Sequence, residues 1–281
     1  CLYEVCFAFL IRRLGPDARA AIVRVTLVAG FASTLAFPSF AALADLAGWR
    51  VAVLAAAAIA AGVILPLHWA GAQAIRRHAP PPRAAGREAA AGYGATLRTP
   101  VFWGMGAVFA IVSLNHWMMM SFLVPVFVAQ GAAAAMAVFA ASTVGPAQVA
   151  GRLVLMRFES RIGNAVATRA TLAATVVAVP ILWAADIAPG LIFAYTLTQG
   201  AALGVITILR PVLIAEITGP AHYGALSGIV QIPALAASAA APSVGALMLD
   251  GPGLRALLAL SLFLAGASLA AVWVLTAVRR G

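Results

Sequence analysis

Charged side chains are scarce in this sequence: only 9% of its 281 residues are Asp, Glu, Lys or Arg, whereas 64% are hydrophobic. A water-soluble domain of this size needs far more charge to cover its surface. The composition therefore excludes an ordinary soluble protein. It predicts an integral membrane protein, for which the lipid bilayer is the main solvent.

Lysine is absent, and all 18 basic residues are arginine, so the net charge is +10. A strongly basic balance can indicate nucleic-acid binding. Here the arginines occupy short gaps between apolar runs, as the positive-inside rule describes for membrane proteins. We therefore expect a lipid bilayer and no nucleic acid as the partner of this chain.

Cysteine and the common catalytic motifs are also missing or rare. Cys1 and Cys6 are the two cysteines, too few for a disulfide framework and without the spacing of a metal site. The sequence contains no HExxH, P-loop, CxxC or GxSxG motif. We therefore predict no enzyme, no catalytic residue, no metal site and no cofactor.

Long apolar runs are what the sequence has in abundance. A bilayer core about 30 Å thick needs roughly 20 apolar residues in a helix. The runs are continuous rather than alternating, which favours helices over a barrel. Nine runs qualify or nearly qualify: 1–11, 21–43, 51–74, 99–128, 133–156, 170–185, 190–215, 223–249 and 254–278.

The arginines predict the orientation of these runs. When the gaps between runs are numbered in order, the odd gaps and the C-terminal end hold every arginine except Arg50 and Arg255. The positive-inside rule then places the odd gaps and the C-terminus in the cytoplasm. We expect a multi-pass protein of the inner, cytoplasmic membrane.

One gap differs from the others and suggests a division into parts. Residues 75–98 are long, basic and rich in proline, which is typical of a linker. Three runs precede it and six follow it. We therefore predict that 1–74 is the remainder of an N-terminal six-helix half, containing helices 4–6. Residues 75–98 would be a cytoplasmic linker loop, and 99–281 a C-terminal half with helices 7–12.

Several short motifs carry a family resemblance. The first fifty residues contain LYE with a following FA (2–8), GPDAR (15–19), GFAST (30–34), Pro38 and GWR (48–50). This stretch resembles the fourth and fifth helices of bacterial major facilitator superfamily permeases, in particular the branch of monocarboxylate and oxalate–formate porters. Residues 151–163, GRLVLMRFESRIG, look like the second-half counterpart of the family's loop motif, between helices eight and nine. By this resemblance, we expect the given sequence to start after the first three helices of the family.

The resemblance implies an all-α, polytopic bundle of the major facilitator type, with about nine of its twelve helices present. It implies a secondary transporter that moves a small organic solute by alternating access, with a proton as the coupling ion and a carboxylate as a candidate substrate. The full-length protein is expected to be a monomer. The alternatives are an antiporter that exports hydrophobic drugs or metabolites, and, from another class, a polytopic membrane enzyme or a non-transporting membrane sensor.

Glu4 is the first candidate for proton coupling. It lies eight residues before Arg12, hence about 12 Å from the cytoplasmic edge if the segment is helical. A carboxylate at that depth is costly and points to function by default. The alternative is a structural pairing with an arginine on a neighbouring helix, for which Arg24 is the nearest candidate.

Asn115 and His116 interrupt the apolar run 99–128 within the stretch SLNHWMMM. Asn115 can bind a substrate carboxylate or hydroxyl, and His116 is a candidate both for the substrate pathway and for proton coupling. Because neighbours on a helix point about 100° apart, at most one of them faces a cavity squarely. Hydrogen bonding between helices is the alternative role.

Later helices supply further pathway candidates. Tyr195, Thr198 and Gln199 share one helix face by their spacing, as do Ser227 and Gln231. Packing is the competing explanation, because the pairs Gly200–Gly204 and Gly224–Gly228 have the GxxxG spacing that lets helices approach closely. Arg152 and Arg210 lie near predicted cytoplasmic helix ends, where their charged groups would reach the membrane surface. Binding of an anionic substrate is the alternative role for both.

Overall fold

The computed structural model describes residues 6–7, 9–10, 14, 18–78, 94–158 and 161–278, which form helices and short turns with no strand among them. The helices are α1 (Ala18–Gly30), α2 (Ala32–Ala47), α3 (Trp49–Ile59), α4 (Leu65–His78), α5 (Pro100–Ser121), α6 (Leu123–Ala129), α7 (Ala134–Ser142), α8 (Val144–Phe158), α9 (Asn164–Ala184), α10 (Leu191–Asp250) and α11 (Leu254–Val278). A π-helical stretch, Ala60–Ile64, joins α3 to α4.

Eight stretches within the described residues are long and apolar enough to cross a membrane: Ala20–Ala47, Trp49–Ala74, Pro100–Ser121, Ala134–Phe158, Asn164–Asp186, Leu191–Thr218, Tyr223–Asp250 and Leu254–Thr276. Each overlaps one of the predicted runs. The remaining run, 1–11, lies largely outside the described residues. The prediction of an all-α, polytopic membrane bundle is confirmed.

Two predicted runs are broken by proline. The run 99–128 divides after Ser121, and the run 133–156 divides after Ser142. Proline has no N–H for the carbonyl four residues earlier and its ring crowds that carbonyl. Pro125 and Pro146 stand four residues after the two break points. Ser142 O, which Pro146 leaves without a helical donor, accepts a hydrogen bond from Thr34 Oγ1 at 3.4 Å.

The longest helix, α10, reverses direction near its middle. A straight helix would place Arg210 and Val230 about 30 Å apart. Instead, the Arg210 guanidinium lies 4.8 Å from the Phe109 ring centre, and Val230 packs against Gly106 one turn away on α5. The chain therefore turns back between Thr218 and Tyr223, although the backbone is helical throughout. The two halves of α10 count as two membrane crossings, as predicted.

Helices α5 to α11 pack into one bundle, with α5 in contact with both halves of α10. One apolar cluster near the C-terminal end of α5 includes Met118, Phe127 and Leu257, and a second near its start includes Phe102 and Leu209. Helices α1 and α2 pack against α7 and α8. The crossing Trp49–Ala74 is almost entirely exposed. Residues 79–93 of the expected linker lie outside the described part, so the predicted division at 75–98 stays a prediction.

Glycines bring α8 and the first half of α10 into backbone contact. A Cβ added to Gly204 would lie 2.1 Å from Gln148 O, and one added to Gly151 would lie 2.2 Å from Ala201 O. Gly200 is similarly close to Val144. The predicted packing role of Gly200–Gly204 is confirmed. The same prediction is wrong for Gly224 and Gly228, which are exposed and have no described atom within 4 Å of an added Cβ.

We expect Gly204→Ala to destabilise the protein by about 1–3 kcal/mol, because the added methyl group meets rigid backbone. Gly228→Ala is the matched control on the same helix. It should be neutral or stabilising by up to about 1 kcal/mol, since alanine is the better helix former. Thermal denaturation of the detergent-solubilised protein measures both. Equal midpoints for the two variants would contradict the backbone contact.

Candidate functional site

A small polar cavity lies among α5, α9, the first half of α10, and α11. Its volume is about 20 Å³, which is enough for about one water molecule. The polar residues that line it are Asn115, His116, Thr171, Thr175, Gln199 and Ser268. The remaining lining residues are apolar: Val112, Leu172, Ala202, Leu203, Ile206 and Leu264.

Two side-chain atoms in this cavity are enclosed without a hydrogen-bond partner among the described residues: His116 Nδ1 and Gln199 Oε1. Gln199 is buried and His116 half-buried, with its ring 5.1 Å from that of Trp117. An enclosed polar atom without a partner costs free energy comparable to a lost hydrogen bond. The described residues therefore leave the hydrogen-bonding capacity of both atoms unmet.

The hydroxyl groups of the cavity wall are bonded within their own helices. Thr171 donates to Ala167 O at 2.7 Å, and Ser268 donates to Ala265 O at 2.8 Å. Thr175 does the same with Leu172 O. A hydroxyl oxygen that donates in this way still has lone pairs to accept a hydrogen bond. The wall hydroxyls therefore offer acceptors to a bound molecule, and the side-chain amides of Asn115 and Gln199 also carry N–H donors.

Asn115 is held by a hydrogen bond between helices. Ser261 Oγ on α11 donates to Asn115 Oδ1 at 2.7 Å, and both residues are buried. This bond fixes the rotation of α5 against α11 and thereby holds the adjacent His116 at the cavity. Asn115 therefore makes a hydrogen bond between helices, which is one of the roles considered for it. The same residue also lines the cavity.

The other candidates do not meet at this cavity. Tyr195 is buried in the apolar cluster near the C-terminal end of α5, where its ring packs edge-on against Phe127 with centres 6.0 Å apart. Thr198 is half-buried and does not line the cavity. Gln231 is buried on the second half of α10, away from the cavity. Glu4 lies outside the described residues.

Arg152 was expected at the membrane surface, and this expectation is wrong. Its side chain is 1% exposed and lies where α8 crosses α1 and α10. The guanidinium donates to Thr26 O, to Gly204 O at 3.3 Å and to Gln148 Oε1 at 3.1 Å, with Thr207 Oγ1 also within reach. Because several carbonyl groups surround the charge, it remains hydrogen-bonded inside the bundle. The nearby Gln148, four residues earlier on the same helix face, is the sequence signal for this arrangement.

Arg210 also turns into the bundle. Its guanidinium lies over the Phe109 ring at 4.8 Å, a cation–π contact, and the side chain is half-buried. The expectation that it reaches the membrane surface is therefore not met.

Two comparisons with known proteins bear on this site. No model of a protein family matches the chain, and no curated protein sequence matches it. Within the part of the chain that the structure describes, no three His, Cys, Asp or Glu side chains come together as a metal site would require. The chemistry of the site therefore has to be inferred from the cavity and its unpartnered atoms.

We expect Ser261→Ala to destabilise the protein, because Asn115 Oδ1 loses its donor inside the bundle. In a double-mutant cycle with Asn115→Leu, the coupling should be about 0.6–1.7 kcal/mol, the range for such bonds in membrane bundles. Ser268→Ala on the same helix is the control, since this serine bonds only its own helix. A coupling of zero in thermal denaturation would contradict the bond.

Arg152→Lys should lower the thermal midpoint far more than Arg157→Lys. A lysine ammonium cannot reproduce the planar array of donors that spans Thr26, Gln148 and Gly204. Arg157 is exposed on the same helix and tests the effect of the substitution itself. Equal midpoints for the two variants would show that Arg152 does not hold α1 to the bundle.

Proposed function

We propose that this protein is a secondary active transporter that moves a small organic solute across the cytoplasmic membrane by alternating access, driven by a proton gradient. The observation that carries the proposal is the polar cavity with His116 Nδ1 and Gln199 Oε1 inside an otherwise apolar bundle. Unpaired polar atoms at membrane depth mark pathways for ions and solutes more often than structural sites.

The way in which the helices contact one another supports alternating access. Two hydrogen bonds join α1 and α2 to the rest of the bundle, from Thr34 to Ser142 O and from Arg152 to Thr26 O. The contact of α8 with α10 is instead made by backbone at Gly151 and Gly204. This difference between contacts made by side chains and a contact made by backbone supports a proposal in which α1 and α2 move relative to the rest of the bundle.

The resemblance of the first fifty residues to major facilitator superfamily permeases supports the same proposal and favours a carboxylate as the solute. The distribution of arginine supports a cytoplasmic C-terminus. As in the resembled family, the functional unit is proposed to be a monomer. No cofactor is needed, because the proton gradient supplies the energy.

Uptake into proteoliposomes tests this function. The full-length protein is reconstituted and supplied with labelled organic acids or cationic drugs, with and without an imposed pH gradient. Saturable accumulation of an acid that depends on the gradient supports the proposal. Extrusion of cationic drugs would indicate the antiporter alternative, and no flux of either class would contradict transport of these solutes.

We predict that His116→Gln abolishes accumulation driven by the pH gradient but leaves solute counterflow, which needs no net proton movement. Glutamine keeps a polar side chain in the cavity and removes the titrating group. Glu4→Gln, measured beside it, tests the other coupling candidate. Gradient-driven accumulation with an unchanged dependence on pH in either variant would remove that residue from the coupling role.

A further inference from the structure

A second cavity lies among the same four helices, displaced toward the end of the bundle that carries Glu216. Its volume is about 60 Å³, so it has room for several water molecules. Its wall includes Val108, Thr168 and Thr276, and Glu216 is exposed at its rim. This cavity therefore connects a carboxylate at the surface to the interior of the bundle.

The two cavities share Ile206 and are separated by one layer of side chains. On α5 the second cavity reaches Val108, and the polar cavity begins at Val112. On α9 the corresponding residues are Thr168 and Thr171. Three or four residues correspond to about one helical turn, or 5.4 Å. Ile206 and its apolar neighbours thus form the partition.

The partition has a polar group on each side. Glu216, which accepts a hydrogen bond from Asn164 Nδ2, lies at the open end. His116 Nδ1 and Gln199 Oε1 lie at the closed end. An apolar constriction between two hydrated spaces is closed when dry and opens when water enters, as in hydrophobic gates of channels. The arrangement has the parts of a gated route for protons.

We propose that the two cavities are the two segments of a proton pathway between one face of the bundle and its interior, with Glu216 as the acceptor at the surface, His116 as the acceptor in the interior and Ile206 as the gate. The inference rests on the proposed proton coupling and names its route. The Glu216 carboxylate takes a proton from bulk water and releases it to water in the cavity. When Ile206 moves aside, the proton passes along water to the lone pair of His116 Nδ1, which requires the other ring nitrogen to carry the hydrogen. No bond other than those to the proton changes.

The surroundings of His116 favour passing the proton on over keeping it. The residues that face it across the cavity from α9, α10 and α11 are uncharged, among them Thr171, Gln199 and Ser268. Of the residues lining the second cavity, Glu216 is the charged one. The protonated imidazole is therefore stabilised by dipoles and water alone. Because the desolvation cost of that charge is high, occupancy should be brief unless a solute carboxylate arrives.

Proton influx into proteoliposomes tests the pathway without any solute. The full-length protein is reconstituted with a pH-sensitive dye inside, and a potassium diffusion potential drives protons inward. We expect Ile206→Ala to raise the influx about tenfold or more, because the smaller side chain keeps the route from Glu216 to His116 open when alternating access exposes His116 to the opposite face. Ile214→Ala is the matched control: it removes the same atoms from a buried position on the same helix that lines neither cavity.

The leak must also depend on the groups at the ends of the pathway. Adding His116→Gln or Glu216→Gln to Ile206→Ala should return the influx to the parent level. A leak equal to that of Ile214→Ala, or one that neither second substitution reduces, would overturn the pathway. Ile206→Val serves as a milder variant if the alanine variant fails to fold. It should give a smaller leak, which His116→Gln and Glu216→Gln should again reduce.

This assay separates the pathway from the proposed function. Gradient-driven solute uptake by the parent, with no extra leak in Ile206→Ala, would leave the transporter proposal standing and reject the route. A leak through Ile206→Ala that depends on His116, with no solute flux in any condition, would support the route and reject solute transport.

Discussion

The close crossing of α8 and α10 sets the positions of the polar side chains around it. Gly151 and Gly204 bring the two backbones into contact, which fixes how each helix is rotated about its axis. The residues beside glycines at the crossing then have defined directions. Arg152, next to Gly151, points from α8 to Thr26 on α1. Gln199, next to Gly200, lines the polar cavity. A larger side chain at either glycine would shift both.

Polar groups inside the bundle are accommodated in three ways. Thr171, Thr175 and Ser268 donate to carbonyls of their own helices. Other groups pair between helices, as Ser261 does with Asn115 and as Thr143 does with Thr196 at 2.8 Å. The first two ways need nothing from outside the protein. The third case is that of His116 and Gln199, each of which has one enclosed atom without a partner among the described residues.

The sequence predicted the helices and part of the site, but not how the helices face one another. Run length and hydrophobicity are local properties, so eight crossings could be predicted where the structure has them. The breaks after Ser121 and Ser142 follow from a proline four residues later, a rule that counting apolar residues overlooks. Asn115, His116 and Gln199 were candidates because polar groups in apolar runs are costly, and the structure brings all three to one cavity.

The misses have a common physical cause. GxxxG spacing indicates that one face of a helix lacks side chains, but it does not indicate whether another helix packs on that face. Gly200–Gly204 is packed in this way, whereas Gly224–Gly228 is exposed. Similarly, sequence position gives the depth of Arg152 in the membrane but not the carbonyls of Thr26 and Gly204 that receive its hydrogen bonds. Those partners lie 126 and 52 residues away along the chain.

The proline break between α7 and α8 has a consequence for how this chain tolerates sequence change. Because Pro146 cannot donate, Ser142 O is left as an acceptor for Thr34 on a neighbouring helix. The acceptor belongs to the backbone, so the identity of residue 142 is immaterial to this bond. The contact instead depends on which residues occupy positions 146 and 34. Over evolutionary time these two distant positions would be expected to vary together, while residue 142 drifts freely with respect to this contact.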